Sequence, residues 1–134
     1  MPGFGNKFDN KKQNPKTKVY KNIEKIIHQA FLSHSQGNIK DAFNNYKYCI
    51  EAGVNDDRIY SNCGLILKNS GHLIQAEKLL RKAIEINPKS DTAHTNLGTI
   101  LKDLKKFKEA ELCHRKAIEI NSNLGVAYLN LGNV

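Results

Sequence analysis

Apolar and small residues recur along the chain at helical spacing, in pairs of stripes separated by short polar intervals. Tyr60, Cys63, Gly64 and Leu67 stand at i, i+3, i+4 and i+7, which is one face of a helix. Asn69-Ser70-Gly71-His72 then interrupts the period with a glycine suited to a left-handed, helix-ending turn. A second stripe follows through Leu73, Ala76, Leu80, Ala83 and Ile84, and Asn87-Pro88 closes it. Proline excludes the residue before it from helix and lacks the N–H that an interior position must donate. The pattern predicts helix, turn, helix, turn.

The pattern is then repeated. Residues 57–90 set above 91–124, without a gap, are identical at 15 of 34 positions, including the run RKAIEIN at 81–87 and 115–121. The frame extends back to 23–56, where Gly37, Ala42 and Tyr46 fall in step with Gly71, Ala76 and Leu80. It extends forward to a partial unit, 125–134, where Tyr128, Leu131 and Gly132 match His94, Leu97 and Gly98. Small residues keep fixed places, Ala30, Gly64, Gly98 and Gly132 in the first helices and Ala42, Ala76 and Ala110 in the second. A large side chain there would hold the helix axes apart. One such hairpin cannot cover its own apolar stripe, so its neighbours must, and roughly three units are needed for stability.

These residues resemble the tetratricopeptide repeat, a 34-residue unit described by W-x2-L-G-x2-Y, then A-x3-F, then P. The second unit reads Tyr60-x2-Cys63-Gly64-x2-Leu67, Ala76-x3-Leu80, Ala83, Pro88. The third reads His94-x2-Leu97-Gly98-x2-Leu101, Ala110-x3-His114, Ala117, with Ser122 in the proline place. The first departs further: Ile26, Gln29, Ala30 and Ser33 stand where the aromatic, leucine, glycine and tyrosine are expected, although Gly37 and Ala42-x3-Tyr46 are regular. The likeness covers about residues 23–134 and is similar in particular to repeats that precede glycosyltransferase or sulfotransferase domains. It implies an all-α fold, a right-handed α-solenoid of stacked helix-turn-helix repeats over 19–134, whose constant small rotation per unit creates an inner groove.

By that resemblance the first helix of each unit lines the groove and binds an extended peptide. The stripe that avoids the core face in the second unit includes Arg58, Ser61, Asn62, Leu65 and Lys68, and in the third Thr92, Thr95, Asn96, Thr99 and Lys102. The first unit offers Phe31 and His34 on the same stripe. Asn62, Asn96 and Asn130 are spaced by one full unit and are expected to form a ladder, since a carboxamide both donates to and accepts from a peptide backbone regardless of side-chain sequence. The plainer alternative is that these amides bond to neighbouring helices. Lys68 and Lys102, one unit apart and supported by Arg58, would favour an acidic segment or a terminal carboxylate; the plainer alternative is a solvated wall. Family members that clamp a peptide C-terminus use lysine, asparagine and arginine at first-helix positions of three successive units, whereas the first unit here lacks the basic residues and has Ile27 and Phe31 on that stripe.

Charge alters the picture mainly at the N-terminus. Of a formal net charge of +8, residues 1–25 carry +5, from seven lysines against Asp9 and Glu24. A Lys/Asn/Gly/Pro-rich stretch with no apolar period cannot offset its ordering entropy, so residues 1–18 are expected to be a disordered basic tail. With Phe4, Phe8 and Tyr20 it could associate with nucleic acid, a weak alternative because arginine and a base-reading fold are lacking. No apolar run is long enough for a membrane span or a signal peptide, and Cys49, Cys63 and Cys113 fit neither a disulfide framework nor a zinc ribbon, so a cytoplasmic protein with reduced thiols is expected.

No HExxH, GxSxG or glycine-rich phosphate loop occurs. His94 and His114, with Cys113, occupy third-unit positions where aromatic residues are usual and read as core residues in preference to a metal pair. The expectation is a non-catalytic protein-interaction scaffold without cofactor or metal, taking a protein or peptide partner, an acidic one among the options. The alternative is a substrate-presenting module severed from a transferase. The chain stops ten residues into a fourth unit, so self-association through that incomplete end, or continuation into a longer array, is also expected.

Overall fold

The computed structural model describes residues 15–122. Six helices make up this part, with no strand among the described residues: α1 Pro15–Ser35, α2 Ile39–Glu51, α3 Asp57–Asn69, α4 Leu73–Ile86, α5 Asp91–Asp103 and α6 Phe107–Ile120. The partial unit 125–134, with Asn130, lies outside the described residues, as do residues 1–14. The expected tail 1–18 overlaps α1, which starts at Pro15. Proline is well placed there, because its missing N–H is one that a first helical residue would leave unbonded anyway, and its fixed φ suits the helix.

Local chemistry sets the helix ends. Asp56 and Ser90 cap α3 and α5, accepting from Arg58 N at 3.0 Å and Ala93 N at 3.2 Å. Asp57 and Asp91 follow in the first turns, where negative charge suits the helix dipole. All three hairpin turns close alike: Asn38 N donates to Ser33 O, His72 N to Leu67 O and Lys106 N to Leu101 O, at 2.8, 2.9 and 2.8 Å. This closure needs a left-handed residue. Gly37 and Gly71 supply it at φ +79° and +84°, and in the third turn Lys105 adopts φ +61° at the cost a side chain bears there.

The buried side chains form two clusters, and each straddles a boundary between units. Ala30, Ala42, Tyr46 and Cys49 of the first hairpin pack with Ile59, Cys63 and Ile66 of α3. Tyr60, Ala76, Leu80 and Ala83 of the second pack with Ala93, Leu97, Ile100, Leu101 and Ala110 of the third. Ile50 and Leu79 lie against both clusters and join them. The second and third units are each also closed on themselves by a polar bond of one pattern. Asn87 Nδ2, after α4, donates to Asp57 Oδ2 at the start of α3, and Asn121 Nδ2 donates to Asp91 Oδ2 at 2.8 Å. Consecutive helices pack on one another, and first helix α3 also touches first helix α5, whereas second helices do not approach their counterparts as closely. The described helices form an all-α solenoid in which α3 and α5 lie side by side.

Within a hairpin the close approach depends on glycine. A Cβ on Gly64 would collide with Leu80, and one on Gly98 would lie 2.6 Å from a carbon of the His114 ring. Because His114 is fully buried and its ring is rigid, the neighbour cannot yield. Gly98→Ala gains roughly 1 kcal/mol of helix propensity but overpacks the contact by about 1–3 kcal/mol. A net loss of about 1 kcal/mol is expected in urea unfolding, and unchanged or raised stability would show that the hairpin is looser than described.

Candidate functional site

The inner face carries a hollow of about 370 Å³ between the first helices, lined by Phe31 of α1, Asp57, Arg58, Ser61 and Asn62 of α3, and Ser90 and Thr92 at the start of α5. Five residues of the predicted stripe, Phe31, Arg58, Ser61, Asn62 and Thr92, thus meet in one place. Phe31 forms an apolar wall, with the Arg58 guanidinium 4.8 Å from its ring centroid, a cation–π arrangement. Ser61 is only 5% exposed and its hydroxyl has no partner.

The electrostatics of this hollow differ from the expectation of a basic wall at Arg58. Asp56 takes the guanidinium bidentately, from Nε at 3.1 Å and Nη2 at 2.7 Å, while also capping α3. The hydrogen bond from Arg58 holds the Asp56 carboxyl below its ordinary range, and the same bond raises Arg58. The positive charge of Arg58 is thereby compensated within the chain. Lys68 and Lys102, both half-buried in the last turns of α3 and α5, make no ion pair among the described residues and remain the cations of the inner face.

The asparagines behave unequally. Asn62 Nδ2 donates to Tyr46 Oη at 3.1 Å, and the same hydroxyl lies 3.0 Å from His34 Nδ1. Burial pushes the Tyr46 phenol above its ordinary value, with the Asn62 bond opposing. Accepting from Asn62 leaves the Tyr46 proton for His34, so this chain of three side chains stitches α1, α2 and α3 together. For Asn62 the plainer alternative therefore holds for one amide proton, while its carbonyl remains open. One unit on, Leu80 stands in the place of Tyr46 and can bond nothing. Asn96 Nδ2 is accordingly buried without a partner, as is the hydroxyl of Thr95. Thr99 Oγ1 returns to Thr95 O at 3.0 Å, and Leu65 is half-buried on the same side of α3.

At the third equivalent of Tyr46 stands His114, fully buried with neither ring nitrogen bonded. Burial, then the charge of Lys102, lowers its pKa below the ordinary 6.5. His94, by contrast, has its Nε2 2.9 Å from Pro88 O. No group of three or more metal-ligating side chains occurs among the described residues. Cys49 and Cys63 are buried, Cys113 is partly buried, all three are free thiols, and burial raises each of them, Cys63 to about 11. No helix among the described residues is long and apolar enough to cross a membrane.

Two features escaped sequence reasoning. The Asp56–Arg58 pair was visible as an acid two residues before an arginine at a helix start. The Tyr46 hub was visible only by comparing position 46 with 80 and 114, where tyrosine, leucine and histidine alternate.

Comparison with known proteins agrees with this architecture. Tetratricopeptide repeat profiles match residues 57–90 and 92–124, and the chain belongs to the tetratricopeptide repeat family. No curated protein matches it in sequence. Among solved structures it is similar to the Arabidopsis OM64 TPR domain, with TM-score 0.76, 22% identity, and 83% of this chain and 92% of that chain covered. It is similar also to the first TPR of Spaghetti (RPAP3) bound to HSP90 peptide SRMEEVD, with TM-score 0.76, 18% identity, and coverage of 83% and 88%. A third is the second TPR domain of human RPAP3 in complex with HSP70 peptide SGPTIEEVD, at TM-score 0.73 and 18% identity, covering 81% and 90%.

The environment of His114 has a measurable consequence. Its folded pKa lies below the unfolded value, so the unfolded chain takes up the proton first. The stability contribution is complete above about 6.5 and drains as pH falls from there toward the folded value. Between pH 7.5 and 5.5 the urea midpoint should fall, in a window above the carboxylates. His114→Leu, which copies the Gly64–Leu80 contact and removes two unbonded nitrogens, should flatten that dependence without loss of stability at pH 7.5. An equal slope in the variant would place the titration elsewhere.

Proposed function

We propose that the chain is a protein-interaction scaffold that takes an extended peptide along the inner face of α1, α3 and α5. The observation that carries this reading is the set of unsatisfied polar groups on that face. Ser61 Oγ, Thr95 Oγ1 and Asn96 Nδ2 have no partner within the chain, a state that among the described buried side chains they share only with the ring nitrogens of His114, and a peptide backbone supplies both donors and acceptors. Asn62 and Asn96 stand one unit apart, so the repeat of the solenoid would be met by the repeat of an extended chain. Phe31, with Arg58 over its ring, offers an apolar place for one side chain of the peptide.

The similar RPAP3 domains bind peptides that share the acidic ending EEVD. In this chain the cations available to an acidic segment are Lys68 and Lys102, because Arg58 is held by Asp56. The reading therefore assigns the amides and hydroxyls the contacts to the backbone, and the two lysines the steering of acidic side chains.

Asn96 is the cleanest residue to test, because it makes no bond inside the protein whereas Asn62 supports Tyr46. With a peptide selected from a displayed library, Asn96→Ala should weaken binding about fivefold to tenfold, the worth of one hydrogen bond of roughly 1 kcal/mol, with unchanged helicity and urea midpoint. Affinity equal to that of the parent for every selected peptide would remove the asparagine face from the site.

A further inference from the structure

The second helices flank a different, open hollow. It has about 410 Å³, within the roughly 300–1,000 Å³ of small-molecule sites, and lies between α2 and α4 over α3. Phe43 and Ile50 of α2, Leu67 of α3 and Leu79 of α4 give it apolar walls. Cys63 adds a neutral floor, since burial raises its thiol to about 11. A smaller hollow of about 140 Å³ adjoins it, sharing Phe43 and Leu67.

The next repeat shows what is special here. One unit further along, the same gap lies between α4 and α6 and is spanned by charge. Arg81 Nη2 bridges Glu77 and Glu109, both at 2.8 Å, and Lys106 reaches Glu77 at 3.3 Å. Burial pushes the Glu77 carboxyl up, yet the bonds from Arg81 and Lys106 hold it below its ordinary value. Translated back by 34 residues, Arg81 becomes Lys47, Glu109 becomes Gln75, Glu77 becomes Phe43 and Lys106 becomes His72. The cation is kept while both of its carboxylates are lost, and Leu97 is replaced by the smaller Cys63. Lys47 is exposed with its Nζ 5.9 Å from the Phe43 ring centroid, and has no ion pair among the described residues. Lys78 and Glu51 are the other charged residues of the rim, leaving it with one net positive charge.

We infer that this hollow binds a medium-chain fatty acid, its alkyl chain against Phe43, Ile50, Leu67 and Leu79 and its carboxylate on Lys47 Nζ, in the place that Glu109 takes beside Arg81 in the next repeat. The ligand supplies what the sequence omits here, an apolar filling for the gap and an anion for the cation at its edge. The inference is independent of the peptide face, which lies on the first helices.

Titration calorimetry of the full chain with decanoate and with decanol tests it. Decanoate should bind with one-to-one stoichiometry and about tenfold more tightly than decanol, the usual worth of a charge-assisted hydrogen bond. Gln75→Glu restores to Lys47 the carboxylate that Arg81 possesses. It should weaken decanoate about tenfold and leave decanol unchanged. Cys63→Leu, which copies Leu97, should weaken both; if that variant does not fold, as judged by circular dichroism, Lys47→Gln replaces it and should weaken decanoate alone. The inference is overturned by absence of decanoate binding to the parent chain, by decanol binding as tightly as decanoate, or by a decanoate affinity indifferent to Gln75→Glu.

Discussion

Each hairpin in this protein is held by apolar surface that belongs partly to its neighbour. Neither buried cluster is the property of one unit: Ile59, Cys63 and Ile66 complete the core of the first hairpin, and Ala93, Leu97 and Leu101 complete that of the second. Burial of apolar area is worth roughly 25 cal/mol per Å², and a two-helix unit of about 34 residues cannot remove enough area from water alone to offset the entropy of ordering it. Sharing a face on each side solves that problem and fixes the stacking direction. The same sharing requires small residues where helices approach, which is why Ala30, Ala42, Ala76 and Ala110 are wholly buried and why Gly64 and Gly98 leave no room for a Cβ.

From this constraint the polar features follow. The side chain at the fourth position after the buried alanine packs on the first helix of its own unit at positions 80 and 114, and at position 46 it bonds the asparagine of the next unit. Tyrosine there, at position 46, is bonded on both sides and joins three helices. Leucine, at position 80, packs well but leaves the Asn96 amide nitrogen buried without a partner. Histidine, at position 114, fills the same space at the cost of two unbonded nitrogens and a pKa pushed downward by burial. One structural position thus sets inter-unit bonding, the pairing of a neighbouring amide and pH response in three successive units.

Much of the fold was legible because a 34-residue period and a 3.6-residue period are both one-dimensional signals. The stripes through Tyr60 and Leu73 end where α3 and α4 end, and Gly71 takes the left-handed turn expected of it. Lys105 takes the same conformation without glycine, because the register of α5 and α6 forces the turn whatever residue occupies it. At the N-terminus composition spoke for a tail over 1–18, and α1 begins at Pro15, inside that span. The candidate site was only partly legible. Spacing placed Arg58, Ser61 and Asn62 on one face, and they do line one hollow. Spacing could not show that Arg58 turns back to Asp56, that Asn62 reaches Tyr46, or that Arg81 spans two helices to Glu109, because these depend on rotamers and on distances between helices.

The central claim, that units are stable only through shared faces, is tested most directly by amide hydrogen exchange of Leu80→Ala beside the parent chain. Leu80 is fully buried in the cluster that joins the second and third units, and its truncation should cost about 2–5 kcal/mol. If the faces are shared, the slowest amides of α3, α4, α5 and α6 lose protection together and by the same factor. Loss confined to α4, with α5 and α6 exchanging as in the parent chain, would contradict the account.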